Sequence, residues 1–364
     1  MPADLAPRPT PRATPVQKHP GVATAIFHAL LLLATIYMLL SRLAPAYPSL
    51  PAAALAAVLP TIMLSRIFSP LRYYVRLTTF LLGLASNSVW GVIASLAMSA
   101  VGRAGDVNWL VARSFWKSTA PLVGIRFRVE GEEHLSERDG PVVMVGNHQT
   151  MLDILYLGRI FPKAASIMAK KELKYMPLLG QFMTFSNAIF VARGKGSKDD
   201  AARMFEKVAG EMKKRELSLF IFPEGTRSAS PVPSLLPFKK GAFHLAVQAQ
   251  VPIVPIVCEN YAGVYHAKAK RFNGGEIVIR VLPPIPTAGT TSSSEDIAAL
   301  TDKTRTAMLS AIEDLGRLRA EANRLEVGRS AGAVQAEEAE GDGAEPSETS
   351  RLLPGGEGVA GESE

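Results

Sequence analysis

The sequence predicts an α/β domain, a mostly parallel sheet covered by helices, preceded by N-terminal membrane helices. Three observations carry this expectation. From about residue 119, short apolar runs alternate with helical patterns, as strands and crossover helices of a parallel sheet do. One of those runs, Val143-Met144-Val145, ends at Gly146-Asn147, a turn signal, and passes through His148 into a helical stretch. Before residue 119 lie three long apolar runs, and 48% of all 364 residues are hydrophobic.

Taken in order, residues 1–20 are Pro-rich and lightly basic and read as a disordered tail. Gly21 to Leu40 is about long enough to cross a bilayer, which takes ~20 residues. It reads as a retained span, because Ser41-Arg42-Leu43 is not a small-residue cleavage site. Leu50 to Leu64 is a second, marginal run interrupted by Pro51 and Pro60. Leu77 to Val101 is the third, with Ser86, Asn87, Ser88 and Gly91 near its middle. It reads as one span or as two half-depth helices meeting at that polar centre. Basic residues flank it on both sides, so a hairpin dipping into one leaflet suits the charges better than a clean crossing. Residues 21–118 are therefore assigned to membrane-embedded helices.

Residues 119–326 are assigned to the catalytic domain. Its expected strands are 124–129, 142–145, 165–168, 188–191, 218–222, 253–257 and 277–282. Its expected helices are 153–160, 201–215 and 240–249, with a last polar helix over 295–325. Residues 327–364 lack the apolar content to fold and read as an acidic, disordered tail.

The formal charge is +7, yet residues 331–364 hold nine acidic residues against one Arg, so the remainder is far more basic. Such a body prefers anionic partners, and the apolar runs point to lipid headgroups or phosphorylated substrates and not to nucleic acid. The one cysteine, Cys258, excludes an internal disulfide and sits in an apolar run, as a buried structural thiol does.

The chemistry concentrates at strand ends. His148 and Asp153 would lie roughly 140° apart on one continuous helix. They meet only if His148 is in the turn and Asp153 in the first helical turn. Thr150-Met151-Leu152-Asp153 fits a capping box, with Thr150 as N-cap and Asp153 at N3. A histidine oriented by a carboxylate makes a general base, while the simpler reading leaves Asp153 as a cap alone. A second strand ends at Pro223-Glu224-Gly225-Thr226-Arg227, where Gly225 admits positive φ and Arg227 offers a fork for phosphate. Lys170-Lys171 and Arg193 follow two further strands. Cations at three strand ends beside His148 make an anion pocket next to a base, at the edge where open α/β sheets bind ligands. No phosphate loop, dinucleotide fingerprint, metal-ligand spacing or Gly-x-Ser-x-Gly elbow is present, so no metal is assigned and the base has no protein nucleophile to activate.

Asn147 to Asp153 and Phe222 to Ser228 resemble the first and third blocks of the glycerolipid acyltransferases. Gly180 through Arg193 resembles the second block and Val251 to Ile256 the fourth, over roughly residues 120–285. Asn147-His148-Gln149-Thr150 and Leu236 to Val247 look most like the fungal-type 1-acylglycerol-3-phosphate acyltransferases. One departure is Ala192, where many members carry an acidic residue before the arginine. The resemblance implies transfer of a fatty acyl group from acyl-CoA to the sn-2 hydroxyl of lysophosphatidic acid, making phosphatidic acid. It makes His148 and Asp153 the catalytic pair. By the same resemblance, Glu224, Gly225, Thr226, Arg227, Lys170, Lys171 and Arg193 would hold the substrate phosphate. No cofactor stays bound, acyl-CoA being a co-substrate. The partner surface the resemblance implies is a bilayer, that of the endoplasmic reticulum or a lipid droplet, with the catalytic domain on the cytosolic face. The same chemistry also serves another lysophospholipid or glycerol 3-phosphate. A remoter alternative is a non-catalytic, membrane-anchored protein that binds anionic lipid.

Overall fold

The structure, a computed structural model, describes residues 61–136, 140–186, 188–191 and 198–341. The first apolar run, most of the second, and Arg193 lie outside the described residues. The chain divides between Gly316 and Arg317 into two compact units.

The first unit is built on seven strands: β1 (Ile125–Glu130), β2 (Val143–Gly146), β3 (Ala165–Lys170), β4 (Ile189–Val191), β5 (Ser218–Ile221), β6 (Ile253–Cys258) and β9 (Gly275–Val281). Their order across the sheet is β1-β9-β6-β2-β5-β3-β4. Neighbours run parallel except β6 and β9, which are antiparallel. All seven expected strands are present, with ends shifted by no more than two residues. A two-stranded hairpin, β7 (Tyr265–His266) with β8 (Arg271–Phe272), was not expected from the sequence.

The central strands carry apolar residues on both faces because helices cover both. Val143 and Val145 face one core with Leu219, Phe243 and Met212, under α5 (Lys198–Arg215) and α6 (Gly241–Ala249). Met144 faces the other with Phe220, Leu155 and Phe115, under α2 (Val107–Leu122) and α3 (Asp153–Ile160). Between β3 and β4 runs a short helix, α4 (Leu179–Phe185).

Three expectations need correction. The boundary at residue 118 falls inside α2, which belongs to the sheet's cover. Asn108 Nδ2 is buried there and donates to the carbonyls of Ala165 on β3 (3.2 Å) and Ser186 (2.9 Å). An apolar helix against a sheet and one in lipid have the same composition, so only the packing separates them.

The polar centre of the third apolar run is not a break. α1 (Ser69–Ala100) is one continuous helix of 32 residues, about 48 Å long at 1.5 Å per residue. Asn87, Ser88 and Gly91 lie on its buried side, and Asn87 donates to Ser118 of α2 (3.2 Å). Leu81, Val89, Trp90, Ile93 and Leu96 are exposed. Among the described residues α1 is the one helix long and apolar enough to cross a membrane.

Finally, the last helix, α7 (Ser294–Gly341), does not stop near residue 325. The second unit contains its remainder, from Arg317 to Gly341. That stretch is rich in Ala, Glu and Arg, whose helix propensity suffices where apolar content is missing. Of the expected 327–364 tail, 342–364 lie outside the described residues.

Candidate active site

β2 is the central strand, and its carboxyl end delivers His148 beside the ends of β5 and β6. The local sequence explains the arrangement. A Cβ on Gly146 would lie 2.5 Å from Phe220 and 2.9 Å from the Tyr156 hydroxyl, so only glycine lets the chain leave the sheet here. The Asn147 side chain then clamps the backbone of Cys258 at the end of β6, donating to its carbonyl and accepting its N–H, both at 2.8 Å. Gln149 Nε2 donates to the carbonyls of Cys258 (3.1 Å) and Glu259 (2.8 Å). On the other side Ser228 and Ala229 donate their N–H groups to the carbonyls of His148 (2.8 Å) and Gln149 (3.1 Å). The histidine turn is thereby fastened to both neighbouring strand ends.

His148 Nδ1 lies 2.7 Å from Asp153 Oδ2, and Asp153 is fully buried at the start of α3. The carboxylate only accepts, so Nδ1 carries the proton and Nε2 keeps its lone pair free. The same Oδ2 accepts the N–H groups of Gln149 (2.7 Å) and Thr150 (3.0 Å). The Thr150 bond is one half of the expected capping box. The other half differs: Thr150 Oγ1 accepts from Leu152 N (3.1 Å), within a tighter turn, and the helix begins only at Asp153. Phe222 stacks on the imidazole, with ring centroids 4.0 Å apart and planes 18° apart. That contact fixes the ring and covers one of its faces. The imidazole keeps 18% of its surface exposed.

The turn after β5 divides into two roles that the sequence did not separate. Glu224 was expected at the substrate phosphate, and the structure places it elsewhere. It is buried, with Oε1 accepting from His148 N (2.7 Å) and Oε2 from Leu236 N (3.0 Å). A carboxylate repels phosphate, and both oxygens of this one are occupied. Burial holds its carboxyl above the usual range, and the His148 and Leu236 N–H groups pull it back down. Thr226 and Arg227 are exposed. The charge of Arg227 acts on Tyr265, whose hydroxyl donates to Met151 Sδ (3.4 Å) beside the histidine turn. Burial and Tyr73 push that phenol up to about 12, with Arg227 opposing. Gly225 has φ +68°, and a Cβ there would sit 2.9 Å from Lys239 Nζ. Lys239 thus lays its ammonium over this turn.

Lys170 and Lys171 are exposed at the end of β3. β5 lies between β3 and β2, so they stand two strands from His148, about 10 Å at the usual spacing. β4 is one strand further. Residues that sequence reasoning missed are Phe222 as a stacking partner, Lys239, and Tyr261, whose hydroxyl donates to Asp153 Oδ1 (2.5 Å). Phe222 opens the third block, but its residue type does not announce a stacking role, and Tyr261 sits in a loop with no motif. Cys258 is buried as expected, and burial raises its thiol far above the usual range.

The acyltransferase family profile matches residues 126–259. An uncharacterized acyltransferase of Schizosaccharomyces pombe is 44% identical over 252 residues, covering 68% of this chain and 88% of that protein. The 1-acyl-sn-glycerol-3-phosphate acyltransferase of Saccharomyces cerevisiae is 39% identical, covering 67% of this chain and 78% of its own length. The human alpha enzyme of that name is 41% identical over 53% of this chain and 66% of its own. Among solved structures, the 1-acyl-sn-glycerophosphate acyltransferase of Thermotoga maritima has a TM-score of 0.53 at 21% identity, over 71% of this chain and 97% of that one. At that identity it bears on the fold alone, and the fold agrees. With such coverage at such identity, the chain belongs to the acyltransferase family of the 1-acyl-sn-glycerol-3-phosphate acyltransferases.

Proposed function

We propose that this chain transfers a fatty acyl group from acyl-CoA to the sn-2 hydroxyl of lysophosphatidic acid, making phosphatidic acid for phospholipid and triacylglycerol synthesis. The observation that carries the reading is the oriented pair: a buried Asp153 holds His148 Nδ1 at 2.7 Å and leaves Nε2 open beside a cation-bearing turn. Nε2 takes the proton of the acceptor hydroxyl as that oxygen attacks the thioester carbonyl. The tetrahedral intermediate collapses by breaking the carbon–sulfur bond, and the imidazolium returns its proton to the departing thiolate. Asp153 stabilises the transient imidazolium, so the pair works as a triad whose serine is the acceptor's own hydroxyl. Acid–base help of this kind contributes about 10²–10⁴-fold in rate. The thioester is already activated, so the step balances without a metal.

Arg227, one strand from His148, is assigned the acceptor phosphate, with Lys170 and Lys171 further along the same edge; Arg193, outside the described residues, is assigned with them on the resemblance alone. The exposed apolar face of α1 supports a bilayer-bound enzyme. The site is assigned to the cytosolic face of the endoplasmic reticulum membrane, where acyl-CoA is supplied.

The test is the purified full chain in lipid micelles with acyl-CoA and a panel of acceptors. Phosphatidic acid forming from lysophosphatidic acid at a higher kcat/KM than products from other lysophospholipids or glycerol 3-phosphate is the expected result. Release of free fatty acid alone would reassign the protein as a hydrolase. In the same assay Arg227→Lys keeps the charge but loses the fork. It is expected to raise the acceptor KM about 10-fold, as loss of a charged hydrogen bond does, while the acyl-CoA KM stays put. An unchanged acceptor KM would return Arg227 to a surface role.

A further inference from the structure

Asp153 Oδ2 is accounted for by His148 and two backbone N–H groups. Its other oxygen, Oδ1, is held by a side chain from the loop after β6. Tyr261 is 2% exposed, and its hydroxyl lies 2.5 Å from Asp153 Oδ1 and 2.8 Å from Thr150 Oγ1. The direction of every proton in this chain follows from what each atom can do. The carboxylate accepts only, so the single phenolic proton points at Asp153. The phenol oxygen must then accept, so the Thr150 hydroxyl donates to it. Thr150 Oγ1 accepts in turn from Leu152 N at 3.1 Å, inside the turn that starts α3. The result is one ordered path from the α3 backbone, through Thr150 and Tyr261, to the carboxylate that orients the base.

We propose that Tyr261, itself oriented by Thr150, is a positioning residue for the catalytic base: it pins Asp153 from the side opposite His148 and draws off part of the carboxylate's charge. This rests on the reading of His148 as the base. Without Tyr261, Oδ1 would face a buried space with no donor, while Oδ2 stays beside Nδ1 on the Gln149 and Thr150 N–H groups. With it, both oxygens are fixed by groups from two segments, the turn after β2 and the loop after β6. Burial and the neighbouring Asp153 push the Tyr261 phenol well above its ordinary range, so it stays a donor throughout the working pH range. The other titratable groups around the pair are Glu224 from the turn after β5, Tyr156 from α3 and Cys258 from β6. Removing one hydroxyl from Tyr261 takes away none of them, so a shift in the pH profile of activity reports the Tyr261–Asp153 bond.

The sign is determined. A carboxylate that loses a donor holds imidazolium more tightly. The acid limb of kcat/KM, which requires neutral His148, therefore moves to higher pH. In the full chain assayed with lysophosphatidic acid and acyl-CoA, Tyr261→Phe is expected to lower kcat about 10-fold, with both KM values nearly unchanged, and to move the acid limb up by about half a unit to one unit. Thr150→Val removes only the outer link and is expected to move the limb in the same direction by less. Thr150→Ser, which keeps the hydroxyl, is expected to rescue the profile lost in Thr150→Val. An acid limb that superimposes on the wild type in Tyr261→Phe overturns the proposal, whatever happens to Tm. Should that variant fail to fold, an unshifted limb in Thr150→Val overturns it instead. His148→Ala runs beside them: full activity there sinks the base itself, whereas an inactive His148→Ala with an unshifted Tyr261→Phe sinks only the role of Tyr261.

Discussion

Asp153→Asn is expected to lower kcat by about 10²–10⁴-fold, in line with His148→Ala, while the protein still folds. The structure makes the reason specific. An asparagine amide fits the site: its oxygen can turn to the three donors of His148, Gln149 and Thr150, and its NH₂ to Tyr261. The phenol can accept that NH₂ and swing its own proton to Thr150. The imidazole then keeps its Nδ1–H and its orientation. What disappears is the negative charge that stabilises imidazolium as the acceptor proton is taken. The loss falls on kcat, and the acid limb of kcat/KM moves to lower pH, opposite to the shift expected for Tyr261→Phe. Asp153→Ala is expected to be worse. It leaves two buried N–H groups unpaired, each costing about 1–3 kcal/mol of stability. Stopped-time acyl transfer with a pH series on purified variants measures this. An Asp153→Asn enzyme within a few-fold of wild type would reduce Asp153 to a helix cap.

The placement of this pair was legible in the sequence because it rests on local geometry. A β-branched apolar run, a Gly-Asn turn and a capping carboxylate fix where β2 ends and α3 begins, and α3 spans Asp153–Ile160 as expected. The seven strands were legible for the same reason, being apolar runs bounded by turn residues. What stayed hidden depends on where chains meet. α2 has the composition of a membrane helix, and only the bond from Asn108 to β3 separates it from one. The β7–β8 hairpin has two residues per strand, too few for any alternation. Tyr261 lies more than a hundred residues from the carboxylate it serves, in a loop that has no motif. Glu224 was legible as important and illegible in direction: its residue type put it at the turn, and only the structure shows it aimed inward at His148 N.

That direction makes Glu224→Ala the second large expected effect, and it separates Glu224 from Arg227 three residues further along the same turn. Glu224 bridges His148 N and Leu236 N, one carboxylate oxygen to each. Its raised pKa has a sign for stability. The folded state binds this proton more readily than the unfolded chain does. The group therefore favours folding fully below the ordinary carboxylate range, and that contribution is lost as pH rises through its folded value. At neutral pH the buried charge is thus a cost that its two hydrogen bonds only partly offset, so its use is positional. Removing it frees the turn that carries the base. A shift of about 1 Å at a catalytic group can cost 10²-fold in rate, and that is the expected fall in kcat for Glu224→Ala. Glu224→Gln should not rescue it, because one end of the amide would point an NH₂ at an N–H donor. The acceptor KM is expected to stay within about two-fold of wild type, as positioning of the base does not touch substrate binding, whereas Arg227→Lys raises it. A Glu224→Ala enzyme with normal kcat and a raised acceptor KM would put the carboxylate back at the substrate and overturn the division of this turn into an inner post and an outer grip.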